Sequence, residues 1–211
     1  MDWIIGIDEV GRGCLAGHVS VGAVMVPVGM ASISGVNDSK KLSPAKREQV
    51  NTAILAASDV HVAVVSAPVD MIDKNGIDRS VLACFEGATR RLLARAAENN
   101  LGPVIEIRID GKAPRTSFMP GYPVKFIIDG DALDWVIGAA SIVAKVKRDQ
   151  QMVELAREYP GYDWEQNCGY GTPKHIAAIK KLGLTPLHRA KFCRNFTPAS
   201  KEDPGVFGLC D

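Results

Sequence analysis

The chain has 211 residues, room for one sizeable domain or for one domain with a small appendage. It is 46% hydrophobic and 23% charged, the balance of a globular chain, and no stretch approaches the roughly 18 consecutive apolar residues that a membrane span needs. The N-terminus, Met1-Asp2-Trp3-Ile4-Ile5-Gly6-Ile7-Asp8, carries an acid where a secretory signal would carry a positive region, so a cytoplasmic chain is expected.

The five cysteines (Cys14, Cys84, Cys168, Cys193, Cys210) are odd in number, irregularly spaced and without a CxxC pair, so free thiols in a reducing compartment are expected. A zinc site from Cys168, His175 and Cys193 is disfavoured by the same spacing. The formal net charge of +1 hides an asymmetry. Between Gln166 and Lys201 lie seven of the 25 basic residues and no acid, which leaves 18 basic against 24 acidic residues elsewhere, a net of −6. That polarity suits cations in one place and a phosphate backbone in another, although charge alone is equally well explained by a solvated helix face.

Trp3 to Ile7 reads as a first strand ending in Asp8-Glu9, followed by the Gly-rich turn Gly11-Arg12-Gly13. Valine-rich His18 to Pro27 reads as a second strand, paired antiparallel with the first. Ser43-Pro44 supplies a capping hydroxyl and a first-position proline for a helix to about Ala57, and Val60 to Ser66 makes a third strand. After the break at Asn75-Gly76, Val81, Leu82, Phe85, Ala88, Leu92 and Ala96 recur at helical spacing. Ile105, Ile107 and Ile109 alternate with Glu106, Arg108 and Asp110 in a half-buried fourth strand, and Val124 to Ile128 is the fifth. A helix from about Ile137 to Glu158 follows. Beyond Tyr159-Pro160-Gly161 come turn residues and a helix from Pro173 to Leu182, capped by Thr172 and stopped by Gly183. The expected class is α/β: a mixed five-stranded sheet flanked by helices over residues 1–160, then a small helical module over 161–211.

Four acids fall at the ends of these elements: Asp8 and Glu9 after the first strand, Asp110 at the end of the fourth, and Asp131 in the loop after the fifth. If the strands are neighbours, the acids converge at one sheet edge, a costly arrangement without cations. Oxygen-only donors suit Mg²⁺ or Mn²⁺, and two such ions roughly 4 Å apart can activate a water and stabilise the leaving oxygen of a phosphodiester. Singly, each acid also fits a turn, a surface or a cap; Asp131 in particular fits the cap of the helix that follows.

The motifs around these acids resemble those of the type 2 ribonuclease H family, ribonuclease HII. Ile7-Asp8-Glu9-Val10-Gly11-Arg12-Gly13 is similar to its Asp-Glu-(Ala/Val)-Gly-Arg-Gly signature, and Asn37-Asp38-Ser39-Lys40-Lys41-Leu42 to its next block. Asp110-Gly111, Gly130-Asp131 and the helix Ala139-Ala140-Ser141-Ile142-Val143-Ala144-Lys145-Val146-Lys147-Arg148-Asp149 follow in family order. Gly169-Tyr170-Gly171-Thr172 and Thr185-Pro186-Leu187-His188-Arg189 complete the pattern, which covers roughly residues 4 to 196.

The resemblance implies a ribonuclease H-like fold, with Asp8, Glu9, Asp110 and Asp131 as catalytic residues and ligands of two Mg²⁺ or Mn²⁺ ions; which acid bridges the ions stays open. It implies cleavage of the RNA strand of RNA–DNA hybrids, and cutting on the 5′ side of single ribonucleotides embedded in duplex DNA, leaving 3′-hydroxyl and 5′-phosphate ends. Gly11, Arg12 and Gly13 would meet the 2′-hydroxyl at the cut, main chain close to substrate where no side chain obstructs. Tyr170 would read the RNA-to-DNA junction by stacking. Ser141 and Lys145, four residues apart on one helical face with Arg148 a turn on, would face backbone phosphates. Lys40, Lys41, His188 and Arg189 are weaker candidates for such contacts, which give affinity without sequence information.

Two positions depart from the family pattern: Cys14 stands where proline is common, and Trp135 is large for its loop. Rival expectations are the type 3 specificity, which needs consecutive ribonucleotides and usually comes with an extra N-terminal domain for which a first strand at Trp3 leaves no room, and a hybrid-binding protein that does not cut. A monomer is expected, bound to hybrid or ribonucleotide-containing duplex and to no membrane; the tail Val206-Phe207-Gly208-Leu209 names no protein partner.

Overall fold

A computed structural model of the chain describes residues 1–36, 41–113, 119 and 121–197. Strands β1 (Trp3–Val10), β2 (Val19–Pro27) and β3 (His61–Ala67) form an antiparallel meander, with helix α1 (Pro44–Ala56) between β2 and β3. Helices α2 (Val69–Asn75) and α3 (Ile77–Glu98) lead to β4 (Val104–Asp110) and β5 (Val124–Ile127). β4 runs parallel to β1 on its free side and β5 parallel to β4, giving a five-stranded sheet in the order β3-β2-β1-β4-β5. The mixed sheet matches the expectation from sequence.

The two faces of the sheet are covered by different helices because side chains alternate along each strand. Ile5 and Ile7 of β1, with Val19, Val21, Ala23 and Met25 of β2, pack on the apolar stripe Val81, Cys84, Phe85, Ala88 and Leu92 of α3. Ile4, Val24 and Val26 face the other way, onto α1 and the long helix α5 (Trp135–Glu158). β2 is buried along its whole length, covered on both faces.

Two glycines set how closely α5 approaches. A Cβ on Gly6 would lie 2.5 Å from the carbonyl carbon of Val136, and one on Gly22 would lie 2.2 Å from the carbonyl oxygen of Ala140. Gly22 is also the register partner of Asp8. The sheet is thus bare of side chains where α5 crosses it, and Asp8, on the same face as Gly6, is left facing that helix.

The C-terminal part is a set of short helices, α6 (Trp164–Asn167), α7 (Pro173–Leu182) and α8 (Ala190–Cys193). They build a separate apolar cluster in which Tyr162, Trp164, Ile179 and Cys193 meet Met152 of α5 and Leu15 and Ala16 of the loop after β1. Of these helices only α7 is expected from sequence, and there the cap is as expected: the Thr172 hydroxyl accepts from the His175 N–H at 3.2 Å. Helix α2 is likewise unforeseen. Two boundaries near the acids differ from expectation. β1 continues through Glu9 to Val10, and Asp131 lies in a one-turn helix, α4 (Gly130–Leu133), not a loop. The cap of α5 is Asp134, which accepts from the N–H groups of Val136 and Ile137, so Asp131 does not serve there. Among the described residues no helix is long and apolar enough to cross a membrane.

Candidate active site

Parallel pairing of β1 with β4 puts Ile7 beside Ile109, so Asp8 and Asp110 leave the sheet at the same edge. Asp110 Oδ1 accepts the Gly130 N–H at 2.7 Å, which ties the end of β4 to the start of α4 and brings Asp131, the next residue, alongside. A Cβ at Gly130 would sit 2.8 Å from Ile137 Cδ1, the end of a side chain that can shift, and 3.3 Å from Asp110 Oδ1. Asp8 and Asp131 are 5% and 8% exposed, and Glu9 is part-buried. The four acids expected to converge therefore share one end of the sheet.

The electrostatics centre on Asp8. Burial is the main force on its carboxyl group and pushes its pKa up; the Ser141 hydroxyl, donating from α5, works against this, and the charges of Glu9 and Asp110 add to the rise. The net result is a carboxyl group pushed up to about 7. Its Oδ1 also accepts the Glu9 N–H at 2.7 Å. Such a group is uncomfortable as an anion on its own and is relieved by a nearby cation. All donors offered here are oxygens, which suits Mg²⁺ or Mn²⁺ better than zinc. Among the described residues no three His, Cys, Asp or Glu side chains form a ready-made metal cage. The disfavoured zinc trio does not gather either: Cys193 points its thiol at the Leu15 carbonyl and the His175 ring is engaged elsewhere.

A groove runs beside the acids, lined by Glu9, Arg12, Asp78, Asp110, Gly111 and Lys112. Arg12 reaches across it to pair with Asp78 at the start of α3 and stands 3.7 Å from Glu9. Gly11 has φ 86°, and a Cβ there would meet the Arg148 guanidinium at 2.1 Å. Gly13 has open space around it.

Other residues singled out in the sequence sit differently from their expected places. Ser141 is buried against Asp8 and does not face solvent. Lys145 is part-buried, donating to Asp149 at 2.7 Å with its ammonium 5.8 Å from the Tyr170 ring centre. Arg148 is buried and donates to the carbonyls of His18, Cys168 and Ala16. Arg189, 0% exposed, donates to the carbonyls of Gly17 and Arg12. Arg148 spends all three of its guanidinium nitrogens on main chain and Arg189 two of its three, its Nη2 being buried without a hydrogen-bond partner among the described residues, so the expectation that they face backbone phosphates is corrected: they brace the loop after β1. His188 is buried as well, and Lys41 is exposed. Lys40, with Asn37, Asp38 and Ser39, lies outside the described residues. Tyr170 is 40% exposed, with Lys145 and Arg148 both 5.8 Å from its ring centre, and its hydroxyl meets the Cys14 thiol.

Sequence reasoning missed the bracing arginines because their partners are carbonyls 130 and 172 residues away. It also missed the network in which Arg108 bonds Glu106 at 2.6 Å and the cap Asp134 at 2.8 Å. The Asp134 cap was legible in principle, since an acid precedes an apolar helix start.

An α/β sheet with carboxylates gathered at the ends of β1 and β4, beside a groove, offers oxygen donors for divalent cations next to a surface that a substrate can reach. Comparison with known proteins agrees. The family model described as Ribonuclease HII matches residues 5–195. The ribonuclease HII of Thermosynechococcus vestitus is 41% identical over 93% of this chain and 86% of its own length. That of Rhodospirillum rubrum is 44% identical over 90% and 83%. Among solved structures, the fold is shared with the ribonuclease HII of Archaeoglobus fulgidus, solved in complex with PCNA, at a TM-score of 0.70 and 22% identity over 92% of this chain and 96% of that one. It is also shared with Bst ribonuclease HIII, solved with Mn²⁺, at a TM-score of 0.68 and 21% identity over 90% and 66%. The chain belongs to the ribonuclease HII family. It is therefore a metal-dependent endoribonuclease of the ribonuclease H type.

Proposed function

We propose that the enzyme cuts the RNA strand of RNA–DNA hybrids and cuts on the 5′ side of single ribonucleotides embedded in duplex DNA, using two divalent ions held by Asp8, Glu9, Asp110 and Asp131. The observation that carries this reading is Asp8: a buried carboxyl group that feels the charge of two neighbouring acids, Glu9 and Asp110, both of which line the adjoining groove. Bound Mg²⁺ or Mn²⁺ would supply an activated water and charge neutralisation at the leaving oxygen, giving 3′-hydroxyl and 5′-phosphate ends. The chain's own part is to hold and orient. Ser141 fixes the Asp8 carboxylate by donating to it, and Gly130 does the same for Asp110.

Substrate reading falls to the loop after β1. Gly11 and Gly13 let main-chain groups approach the ribose 2′-hydroxyl, which distinguishes RNA from DNA, and Arg12 leaves Asp78 for the substrate. Tyr170 stacks at the RNA-to-DNA junction with Lys145 beside it, and Lys40, outside the described residues, supplies a charge for the phosphates. Residues 1–160 form the catalytic domain and 161–211 the substrate-binding segment.

The test is cleavage of a labelled DNA duplex carrying one ribonucleotide, beside a long RNA–DNA hybrid, in Mg²⁺ and separately in Mn²⁺. Cutting of both, with the single ribonucleotide released on its 5′ side, is the expected result. Cutting of the long hybrid alone would contradict the single-ribonucleotide specificity and favour that of type 3.

A further inference from the structure

Behind Tyr170 lies a pair of buried rings that this chemistry does not use. His175 and His188 are 0% and 3% exposed, boxed in by Tyr162 and Trp164; the Tyr162 ring centre lies 4.8 Å from that of His188. Their partners determine where each ring hydrogen sits. The Tyr170 carbonyl only accepts, so His175 Nδ1, 2.9 Å away, carries a hydrogen. His175 Nε2 is then an acceptor, and it takes the Trp164 indole N–H at 2.9 Å. Its second contact, 3.2 Å to His188 Nε2, therefore requires the hydrogen on His188. That makes His188 Nδ1 an acceptor, as the Thr185 N–H at 2.9 Å demands.

The result is a hydrogen-bond chain with one direction, Thr185 to His188 to His175 to the Tyr170 carbonyl. An extra proton on either ring would set two donors against each other. Burial, and for His188 also its neighbour His175, holds both rings below the usual imidazole range, His188 at about 4, so the chain is intact at neutral pH.

We propose that His175 and His188 are positioning residues for substrate selection: the one-way chain holds the Tyr170 main chain, and so sets where the Tyr170 ring stands beside Lys145 and Arg148. This rests on the reading of Tyr170 as the junction-contacting residue. A displaced ring would impair substrates that present a junction at one defined place, and would spare long hybrids that can be cut at many positions.

The experiment compares wild type, His175→Leu, and His175→Asn, whose amide keeps a donor near the Nδ1 position. His175→Leu is expected to lower kcat/KM on the single-ribonucleotide duplex by roughly tenfold to a hundredfold, the scale of a misplacement of about 1 Å, while long-hybrid cleavage stays within about threefold of wild type. His175→Asn is expected to restore most of the loss. Equal losses on both substrates, or an unchanged ratio, would overturn the proposal. Nitrogen-15 NMR of wild-type imidazoles gives a test that needs no variant to fold: His175 must show the Nδ1–H form and His188 the Nε2–H form, and any other assignment breaks the chain. Failure of wild type to cut either substrate would instead defeat the function reading and leave the NMR result to judge the chain.

Discussion

A carboxyl group moved out of water resists ionisation, and Asp8 is buried beside Glu9 and Asp110, with the Ser141 hydroxyl and the Glu9 N–H steadying its charge. Burial pushes its pKa up to about 7, from an ordinary carboxyl value of 3.8. Between those values the folded state binds more protons than the unfolded one, so stability falls as pH rises from about 4 to about 7 and the loss is complete above that range. Asp8→Asn removes this cost. In metal-free protein it should raise stability at pH 8 by an amount on the order of a few kcal/mol and make no comparable difference at pH 4, measured by denaturant unfolding at both values. Cleavage is lost at the same time. Mn²⁺ should raise the Tm of wild type and move that of Asp8→Asn much less, because a bound ion stabilises the state that binds it. Ser141→Ala removes the hydroxyl that favours the Asp8 anion, so the acid limb of the cleavage profile should move to higher pH. An unmoved limb would show that Ser141 does not act on Asp8.

Helix α5 is the element on which the site depends, and glycines permit its approach. At Gly22 a methyl group would meet the Ala140 carbonyl at 2.2 Å, a main-chain atom that cannot swing aside. Gly22→Ala is expected to cost about 1–3 kcal/mol by denaturant unfolding and to lower cleavage further, since Ser141 moves with α5 away from Asp8. Retained wild-type stability would contradict this account of the packing.

The elements themselves were mostly legible. The alternation that buries Ile107 and Ile109 and the helical spacing of Val81 to Ala96 report burial on one face, which local pattern encodes, whereas Ile105, expected in the same alternation, is exposed at the register shift between β1 and β4. One-turn helices such as α4 are too short to show a period, so Asp131 reads as loop from sequence. The buried arginines fail for another reason. Guanidiniums read as surface unless their partners are visible, and Arg148, with two of the three nitrogens of Arg189, is satisfied by carbonyls that only the tertiary fold brings near.

In the molecule as a whole, those arginines join its two parts. Arg148 of α5 and Arg189 before α8 both bond the loop after β1, while Leu15 and Ala16 N–H groups bond the Gly169 carbonyl at 2.8 and 3.2 Å. The loop proposed to read the ribose and the segment bearing Tyr170 are thus held as one piece. Arg148→Met leaves the carbonyls of His18, Cys168 and Ala16 without this donor, and should cost roughly 3 kcal/mol, with faster amide exchange at residues 161–197 than at β1 and β2. Uniform exchange changes across both regions would argue that the arginine serves the whole fold and not this junction.

Four acids at one sheet edge are proposed to hold the ions that cut beside a single ribonucleotide. The decisive experiment incubates wild type and Asp131→Asn with a labelled duplex containing one ribonucleotide, in Mg²⁺ and in Mn²⁺. The expected result is a single cut on the 5′ side by wild type, leaving 3′-hydroxyl and 5′-phosphate ends, and none by the variant under conditions where it remains folded. A variant that cuts as wild type does would remove Asp131 from the ligand set, and a wild type that leaves the duplex whole would contradict the proposal itself.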